Sequence, residues 1–258
     1  MNEASVPQTV PRPVLFVTGG SRGIGRALVL AAAQAGWDVG FTYVSQAQAA
    51  EDVLQQAAQQ APQARVKAWQ LDVCDPAAVD RVADEVLAHF DGVNAVVPNA
   101  GVSVNGLAYS LSDSDWRRVI DTNLSGPFYV CRAFLPELVS RRKGRILLVS
   151  SIIADGASGQ AAYAASKAGL LGLARSLAKE YGPKGITTNV VAPAYFETDM
   201  TRDTMSAGLV DYANRFCPLR RLGELDELAA TMLFLLSDAA GYINGETVRV
   251  SGGLDWAP

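Results

Sequence analysis

The sequence predicts an α/β fold: a single-domain, doubly wound parallel sheet with helices on both faces. Strand-like apolar runs alternate with helix-length segments along the chain, and the first run is followed directly by a glycine-rich turn. At 258 residues and 49% hydrophobic content, the chain is long enough for one large core, and no linker-like stretch interrupts it. Repeated strand-helix units predict parallel strands whose two faces are both covered.

The elements follow a proline-rich start. Residues 1–13 carry three prolines and no apolar run, so we expect a flexible N-terminal tail before one domain over 14–258. The predicted strands are 14–18, 38–43, 65–71, 93–98, 145–150, 186–192 and 247–250. The predicted helices are 24–35, 46–60, 76–90, 115–139, 161–181 and 225–237.

Composition argues against several classes of function. A net charge of −4 disfavours a nucleic-acid surface, and no run approaches the roughly 20 apolar residues of a membrane span. Three widely spaced cysteines without a C-x-x-C pair predict free thiols in a reducing cytoplasm. With His89 as the single histidine, no metal site is predicted.

The glycine-rich turn over 18–25 lies between the first predicted strand and the first predicted helix. Helix N-terminal amides attract anions, and glycine leaves them accessible, so this order favours a phosphate site over an ordinary tight turn. The second predicted strand ends over 41–45 without the carboxylate that usually binds the ribose of NAD. Arg22 and Ser45 are available for a 2′-phosphate, which favours NADPH; the alternative is that Arg22 points into solvent.

Tyr163 and Lys167 are four residues apart on a predicted helix, so they share one face. A lysine beside a tyrosine favours the phenolate, so we expect the pKa of Tyr163 to be lowered toward that of a general acid. Most pairs at this spacing are structural, and the pair alone does not indicate catalysis.

The sequence resembles the short-chain dehydrogenase/reductase family from Val14 to Gly253. The matching segments are 18–25, 71–73, 99–101, 121–123, 163–169 and 189–193. The resemblance implies a Rossmann fold and a nicotinamide cofactor. It implies cofactor contacts at Gly19, Ser21, Arg22, Gly23, Ile24, Gly25, Ser45, Asp72, Val73, Asn99, Ala100, Gly101, Tyr163, Lys167, Pro193 and Thr198. It further implies that Tyr163 is the general acid/base, that Lys167 binds the nicotinamide ribose and that Asn123 holds a relay water.

A serine near the end of the fifth strand steadies the substrate oxygen in that family. The loop from 151 to 163 is one residue shorter than usual, so counting back from Tyr163 favours Ser150 and counting along the strand favours Ser151. We choose Ser151, because strand pleating fixes register more firmly than loop length does. Pro98 and Ala194 also depart from the family pattern, without removing a catalytic group.

Within the family, the chain is most similar to reductases of 3-oxoacyl groups on acyl carrier protein, which are homotetramers. This implies NADPH-dependent reduction of a 3-oxoacyl thioester in fatty-acid or polyketide-like synthesis, with Arg142 and Lys184 as candidates for docking the acidic carrier. Segment 195–217 corresponds to the substrate lid. Its larger apolar side chains could line an acyl pocket, pack the lid or form a subunit contact; they are Phe196, Met200, Met205, Leu209, Tyr212 and Phe216. The alternatives are a family enzyme for a small ketone, alcohol, sugar or steroid, and a regulatory NADPH-binding protein without turnover.

Overall fold

A computed structural model describes residues 12–197 and 207–254. Its strands are β1 (Val14–Val17), β2 (Asp38–Tyr43), β3 (Val66–Gln70), β4 (Ala95–Val97), β5 (Gly144–Val149), β6 (Ile186–Pro193) and β7 (Thr247–Val250). Its α-helices within those residues are α1 (Gly23–Gln34), α2 (Ala47–Gln60), α3 (Pro76–Phe90), α4 (Asp113–Ile120), α5 (Gly126–Arg141), α6 (Ala161–Tyr181), α7 (Ala207–Phe216) and α8 (Leu225–Leu236).

The seven strands form one parallel sheet in the order β3-β2-β1-β4-β5-β6-β7. The central strands β1, β4, β5 and β6 are buried along their whole length, as strands covered on both faces must be. One hydrophobic cluster lies under α3, α5 and α6, and a second lies under α1, α2 and α8. The predicted fold class is therefore confirmed.

The order of the strands reverses between β1 and β4, so connections leave β1 on one side and β4 on the other. An open parallel sheet binds its ligand at such a switch point, beyond the carboxyl ends of the strands. The glycine turn and the segments that follow β4, β5 and β6 all lie at this edge.

The predicted helix over 115–139 is wrong as a single element. A π-helical turn over Asp121–Ser125 separates α4 from α5, and Gly126 donates its amide to the Asp121 carbonyl five residues back. Pro127 has no N–H to donate to the carbonyl of Asn123, so the regular four-residue ladder breaks at that residue.

The N-terminal boundary differs slightly from the predicted tail. Arg12 pairs with Asp38, and the Pro13 carbonyl accepts the Asp38 amide, so these two residues belong to the folded edge of the sheet. Residues 1–11 lie outside the described part of the chain. Within residues 12–197 and 207–254, no helix is both long and apolar enough to cross a membrane.

Candidate active site

The glycine turn has the backbone that a phosphate cradle needs. Gly19 and Gly23 have φ angles of 67° and 53°, a region that L side chains seldom adopt. A Cβ on Gly25 would lie 2.2 Å from the Gly19 carbonyl oxygen, so the first turn of α1 folds tightly back on the loop. Ile24 lies between Gly23 and Gly25 in the first turn of α1.

Side chains at the ends of β1, β2 and β4 hold this turn in place. The Asn99 Nδ2 atom donates to the Thr18 and Gly19 carbonyls, at 2.9 and 3.2 Å. The Thr18 hydroxyl accepts the amides of Asn99 and Ala100, both at 3.0 Å. Thr42 accepts the amide of Gly19 through its hydroxyl. Sequence reasoning missed Thr18 and Thr42 as supports, although each is a buried polar residue at a strand end.

The candidate adenosine contacts lie on either side of the turn. Arg22 is exposed at the start of α1, and Ser45 is exposed just beyond β2. After β3, the Asp72 carboxylate accepts the Cys74 amide, and Val73 is buried against Gly126. The structure therefore brings the uncharged end of β2, the Asp72 carboxylate after β3 and one exposed guanidinium to the predicted cofactor side.

The residues with predicted catalytic roles meet where β5 ends against α6. The Lys167 ammonium donates to the Val149 carbonyl at 2.7 Å and lies 5.6 Å from the centroid of the Tyr163 ring. The Ser151 hydroxyl accepts the Ile153 amide at 3.2 Å and lies close enough to the Tyr163 side chain to lower the pKa of that phenol. The Ser150 hydroxyl is buried and donates to the Lys167 carbonyl at 2.9 Å, so its proton is committed within the protein. The geometry favours Ser151 over Ser150 as the substrate-facing serine.

The expected direction of the Tyr163 pKa was wrong. Burial raises the pKa of Tyr163 above its ordinary value, and the nearby Ser151 hydroxyl only opposes that rise. The Lys167 ammonium is directed to a backbone carbonyl, and burial lowers the pKa of Lys167 to about 8. A raised pKa keeps the Tyr163 phenol protonated at neutral pH, which suits a proton donor to a substrate oxygen.

Asn123 lies in the π-helical turn, and its side chain is fully engaged. Its amide oxygen accepts the Val102 amide at 2.8 Å, and its amide nitrogen donates to the Val102 carbonyl at 2.8 Å. The same nitrogen donates to the Ser166 hydroxyl at 3.1 Å, and that hydroxyl donates to the Tyr163 carbonyl at 2.7 Å. Ser166, which sequence reasoning missed, therefore links Asn123 to the helix that carries Tyr163.

Gly101 lies beside the side chains of both Asn123 and Lys167. A Cβ at Gly101 would lie 3.3 Å from the Asn123 amide oxygen and 3.6 Å from the Lys167 ammonium. Pro193 is the last residue of β6, the strand that pairs with β5, and Ala194 follows it. Thr198, a predicted cofactor contact, lies outside the described residues.

The described part of the predicted lid is the segment through Glu197 together with α7 and Cys217. Phe196 is buried, and its ring lies against Gly223, so this candidate for an acyl pocket packs into the fold. The rings of Tyr212 and Phe216 contact each other at a tilt of 41°, with 4.7 Å between their centroids. Tyr195, Leu219 and Leu222 help to line a pocket of about 150 Å³ beside this segment. Met200 and Met205 lie outside the described residues, as does the side chain of Leu209.

The docking candidates lie at the opposite edge of the sheet. Arg142 follows α5 directly, just before β5 begins, and Lys184 lies just before β6 begins. Both are exposed, and a Cβ on Gly185 would lie 2.2 Å from the Arg142 carbonyl oxygen, so the two segments adjoin. The structure therefore brings Arg142 and Lys184 together, but at the amino ends of β5 and β6 and not beside Tyr163.

Comparison with known proteins agrees with this architecture. The family model described as enoyl-(acyl carrier protein) reductase matches residues 19–255. The 3-oxoacyl-[acyl-carrier-protein] reductase FabG of Escherichia coli K12 is 41% identical over 247 residues, covering 93% of this chain and 96% of that protein. The FabG protein of Staphylococcus epidermidis RP62A is 38% identical over 240 residues, covering 93% and 97%.

Among solved structures, that of levodione reductase superposes with a TM-score of 0.92 at 30% identity, covering 95% of this chain and 98% of that one. The matches therefore extend over nearly the whole chain and include both the glycine turn and the turn of α6 that carries Tyr163 and Lys167. The chain belongs to the short-chain dehydrogenase/reductase family.

Proposed function

We propose that this protein reduces a 3-oxoacyl thioester, carried on acyl carrier protein, to the 3-hydroxyacyl thioester with NADPH, in fatty-acid or polyketide-like synthesis. The observation that carries the proposal is the meeting of Tyr163, Ser151 and Lys167 at the end of β5. Relatives named 3-oxoacyl-[acyl-carrier-protein] reductase cover 93% of the chain at about 40% identity, which supports this substrate class.

The residues present fit a nicotinamide dinucleotide. The tight turn of Gly19 and Gly25 at the start of α1 leaves backbone amides open to a pyrophosphate. Asn99 fixes that turn, and Gly101 leaves space beside Lys167 and Asn123. When bound, this cofactor supplies the hydride; the chain binds it, orients it and provides the proton.

The absence of a carboxylate at the end of β2 supports NADPH as the cofactor. Residues 41–45 offer no carboxylate, whereas the exposed Arg22 and Ser45 can bind the additional phosphate. The Asp72 carboxylate at the end of β3 already accepts a backbone amide. We expect Arg22→Ala to raise the KM for NADPH by tenfold or more while leaving the KM for NADH nearly unchanged.

The proposed mechanism assigns one task to each side chain. Tyr163, kept neutral by burial, donates its proton to the substrate carbonyl oxygen as negative charge develops there. Ser151 stabilises the same oxygen by a hydrogen bond. Lys167 binds the ribose beside the nicotinamide, and Asn123 orders the segment through which the proton of Tyr163 is replaced.

We further propose that the acyl carrier protein docks at Arg142 and Lys184. Neither residue has an ion-pair partner among the described residues, so both can receive acidic side chains. Because they lie at the edge opposite Tyr163, a carrier bound there would deliver its acyl group to a neighbouring chain. The docking proposal therefore requires an oligomer, and we propose a homotetramer in the cytoplasm.

A second candidate function is reduction of a free ketone. Levodione reductase is 30% identical and covers 95% of the chain. The family model's description names a third chemistry, reduction of an enoyl thioester. All three would use the same turn and the same Tyr163, so the choice depends on the substrate.

The deciding experiment compares these substrates with one enzyme preparation. Purified protein receives a short 3-oxoacyl thioester, a 2-enoyl thioester or a cyclic diketone, and absorbance loss is followed with NADPH and with NADH. We expect NADPH consumption with the 3-oxoacyl thioester and loss of that activity in Tyr163→Phe. Faster turnover of the diketone or of the enoyl thioester would reject the proposed substrate.

A second arm tests docking. Charge reversal in Arg142→Glu with Lys184→Glu should raise the KM for carrier-bound substrate tenfold or more and spare a short thioester not attached to a carrier. The control is Arg81→Glu, an exposed cation on α3, a helix that carries neither docking candidate and no predicted catalytic residue. Equal losses on both substrates would reject docking at this patch.

A further inference from the structure

Three consecutive residues at the end of β5 contact one turn of α6. The Val149 carbonyl accepts the Lys167 ammonium at 2.7 Å. The Ser150 hydroxyl donates to the Lys167 main-chain carbonyl at 2.9 Å. Ser151 then lies beside the Tyr163 side chain and lowers the pKa of its phenol. Lys167 is thus held at both its ammonium and its main-chain carbonyl by adjacent strand residues.

Ser150 joins the sheet to α6, because its backbone bonds to β6 and its side chain bonds to the helix. Its amide donates to the Val191 carbonyl of β6 at 2.8 Å, so its backbone is part of the sheet. Its side chain is buried, with 3% of the residue exposed, and both the hydroxyl and its partner lie in the interior. A buried hydrogen bond of this kind fixes relative position because its loss leaves a polar group without a partner.

We propose that Ser150 is a positioning residue of the reduction: its hydroxyl fixes α6 along its axis against the end of β5, so that Tyr163 and Lys167 are held in reacting positions. The inference rests on the proposed function, because it assigns the reacting positions to those two residues. One helical residue corresponds to a rise of about 1.5 Å, so a small slip of α6 would separate Tyr163 from Ser151. A misplacement of about 1 Å at a reacting group lowers rates up to about a hundredfold.

The alternative is that Ser150 only fills space in the core. The two roles differ in what Ser150→Ala changes. Loss of a filler lowers stability and leaves the kinetics of the folded enzyme intact, whereas loss of a positioning contact lowers kcat with little effect on KM. It also loosens the packing around Lys167, whose pKa of about 8 depends on burial.

The test measures kcat, KM and the pH profile of thioester reduction in Ser150→Ala and Ser150→Thr. We expect Ser150→Ala to lower kcat about tenfold, to change both KM values less than threefold and to move the alkaline limb of the profile upward. Ser150→Thr keeps the hydroxyl and should recover most of kcat. Should Ser150→Ala fail to fold, Ser150→Cys keeps the size with a weaker donor and should show the same kinetic pattern.

Thr188→Val is the matched control. Thr188 lies on β6 beside Ile146 of β5 and is fully buried, and its hydroxyl has no hydrogen-bond partner among the described residues. Its removal should leave kcat, KM and the pH profile unchanged. This control separates loss of any buried hydroxyl from loss of the bond to Lys167.

Two outcomes would overturn the inference. The first is wild-type kcat and an unshifted pH profile in Ser150→Ala. The second is loss of activity in Ser150→Ala as complete as in Tyr163→Phe while Ser151→Ala stays active, which would make Ser150 the substrate-facing serine. If the wild-type protein reduces no thioester, the proposed function fails by itself. NMR titration of Lys167 in Ser150→Ala then still tests the contact, since an unchanged pKa would reject it.

Discussion

The two edges of the sheet use buried polar groups in different ways. At the amino edge, Asp38 is buried and accepts from Arg65 at 2.6 Å while pairing with Arg12 at 3.3 Å. Farther along that edge, the buried Arg145 pairs at 3.1 Å with the exposed Asp238, which also pairs with Lys143 at 2.7 Å. Each of these charges has an opposite charge beside it.

At the carboxyl edge, the buried cation has no such partner. Lys167 donates to a backbone carbonyl, and desolvation alone lowers its pKa to about 8. No carboxylate pairs with it among the described residues. The amino edge therefore stabilises the fold with compensated charge, whereas the carboxyl edge keeps an uncompensated charge available to a ligand. Unfavourable groups of this kind are typical of functional sites.

The largest expected effect is at the carboxyl edge. Tyr163→Phe removes the proton donor and should lower kcat about 1,000-fold, within the range of general acid catalysis. NADPH affinity, measured by fluorescence titration, should change less than threefold, since the aromatic ring remains. Retention of more than a tenth of the wild-type kcat would show that another group supplies the proton.

The glycine turn at the same edge should give the next largest effect. Gly25→Ala places a Cβ 2.2 Å from the Gly19 carbonyl oxygen, so the turn must open. We expect NADPH affinity to fall about 100-fold, because the amides would no longer converge on the pyrophosphate. Gly172→Ala is the matched control: apart from the neighbouring backbone of α6, no atom lies within 4 Å of its Cβ position, and alanine there should stabilise the helix slightly. Equal binding by both variants would contradict a cradle at Gly25.

The sequence predicted the fold class and the glycine turn at the carboxyl edge, but several structural details were missed or wrong. Strand-helix alternation and the glycine turn predicted the fold class, because both depend on local pattern. The break at Asn123 was missed, although Pro127 four residues later signals it. The direction of the Tyr163 pKa depends on burial by distant segments, and the location of Arg142 and Lys184 depends on sheet order. Neither property is present in local sequence.

The amino edge should respond in stability and not in catalysis. Asp38→Asn removes the negative charge between Arg12 and Arg65 and should lower the free energy of unfolding by about 2 kcal/mol, below the loss for a fully buried pair because both arginines are partly exposed. Urea denaturation measures this change. Activity per folded molecule should stay within twofold of wild type, and a larger loss would mean that the two edges are coupled.

The smallest expected effect has the opposite sign and tests the uncompensated charge directly. Burial lowers the pKa of Lys167 to about 8, below its ordinary value of 10.5, so the folded state binds fewer protons than the unfolded state between those pH values. Below pH 8 the buried charge is therefore destabilising, and this penalty disappears as the pH rises to 10.5. Lys167→Met should raise the free energy of unfolding at pH 7 by about 1 kcal/mol, after the lost bond to Val149 is subtracted, and abolish turnover. Urea denaturation from pH 7 to 10 should show this gain shrinking and reversing sign, because only the lost bond remains at high pH. A variant less stable than wild type at pH 7 would show that the carboxyl edge compensates Lys167 after all, and the contrast between the edges would fail.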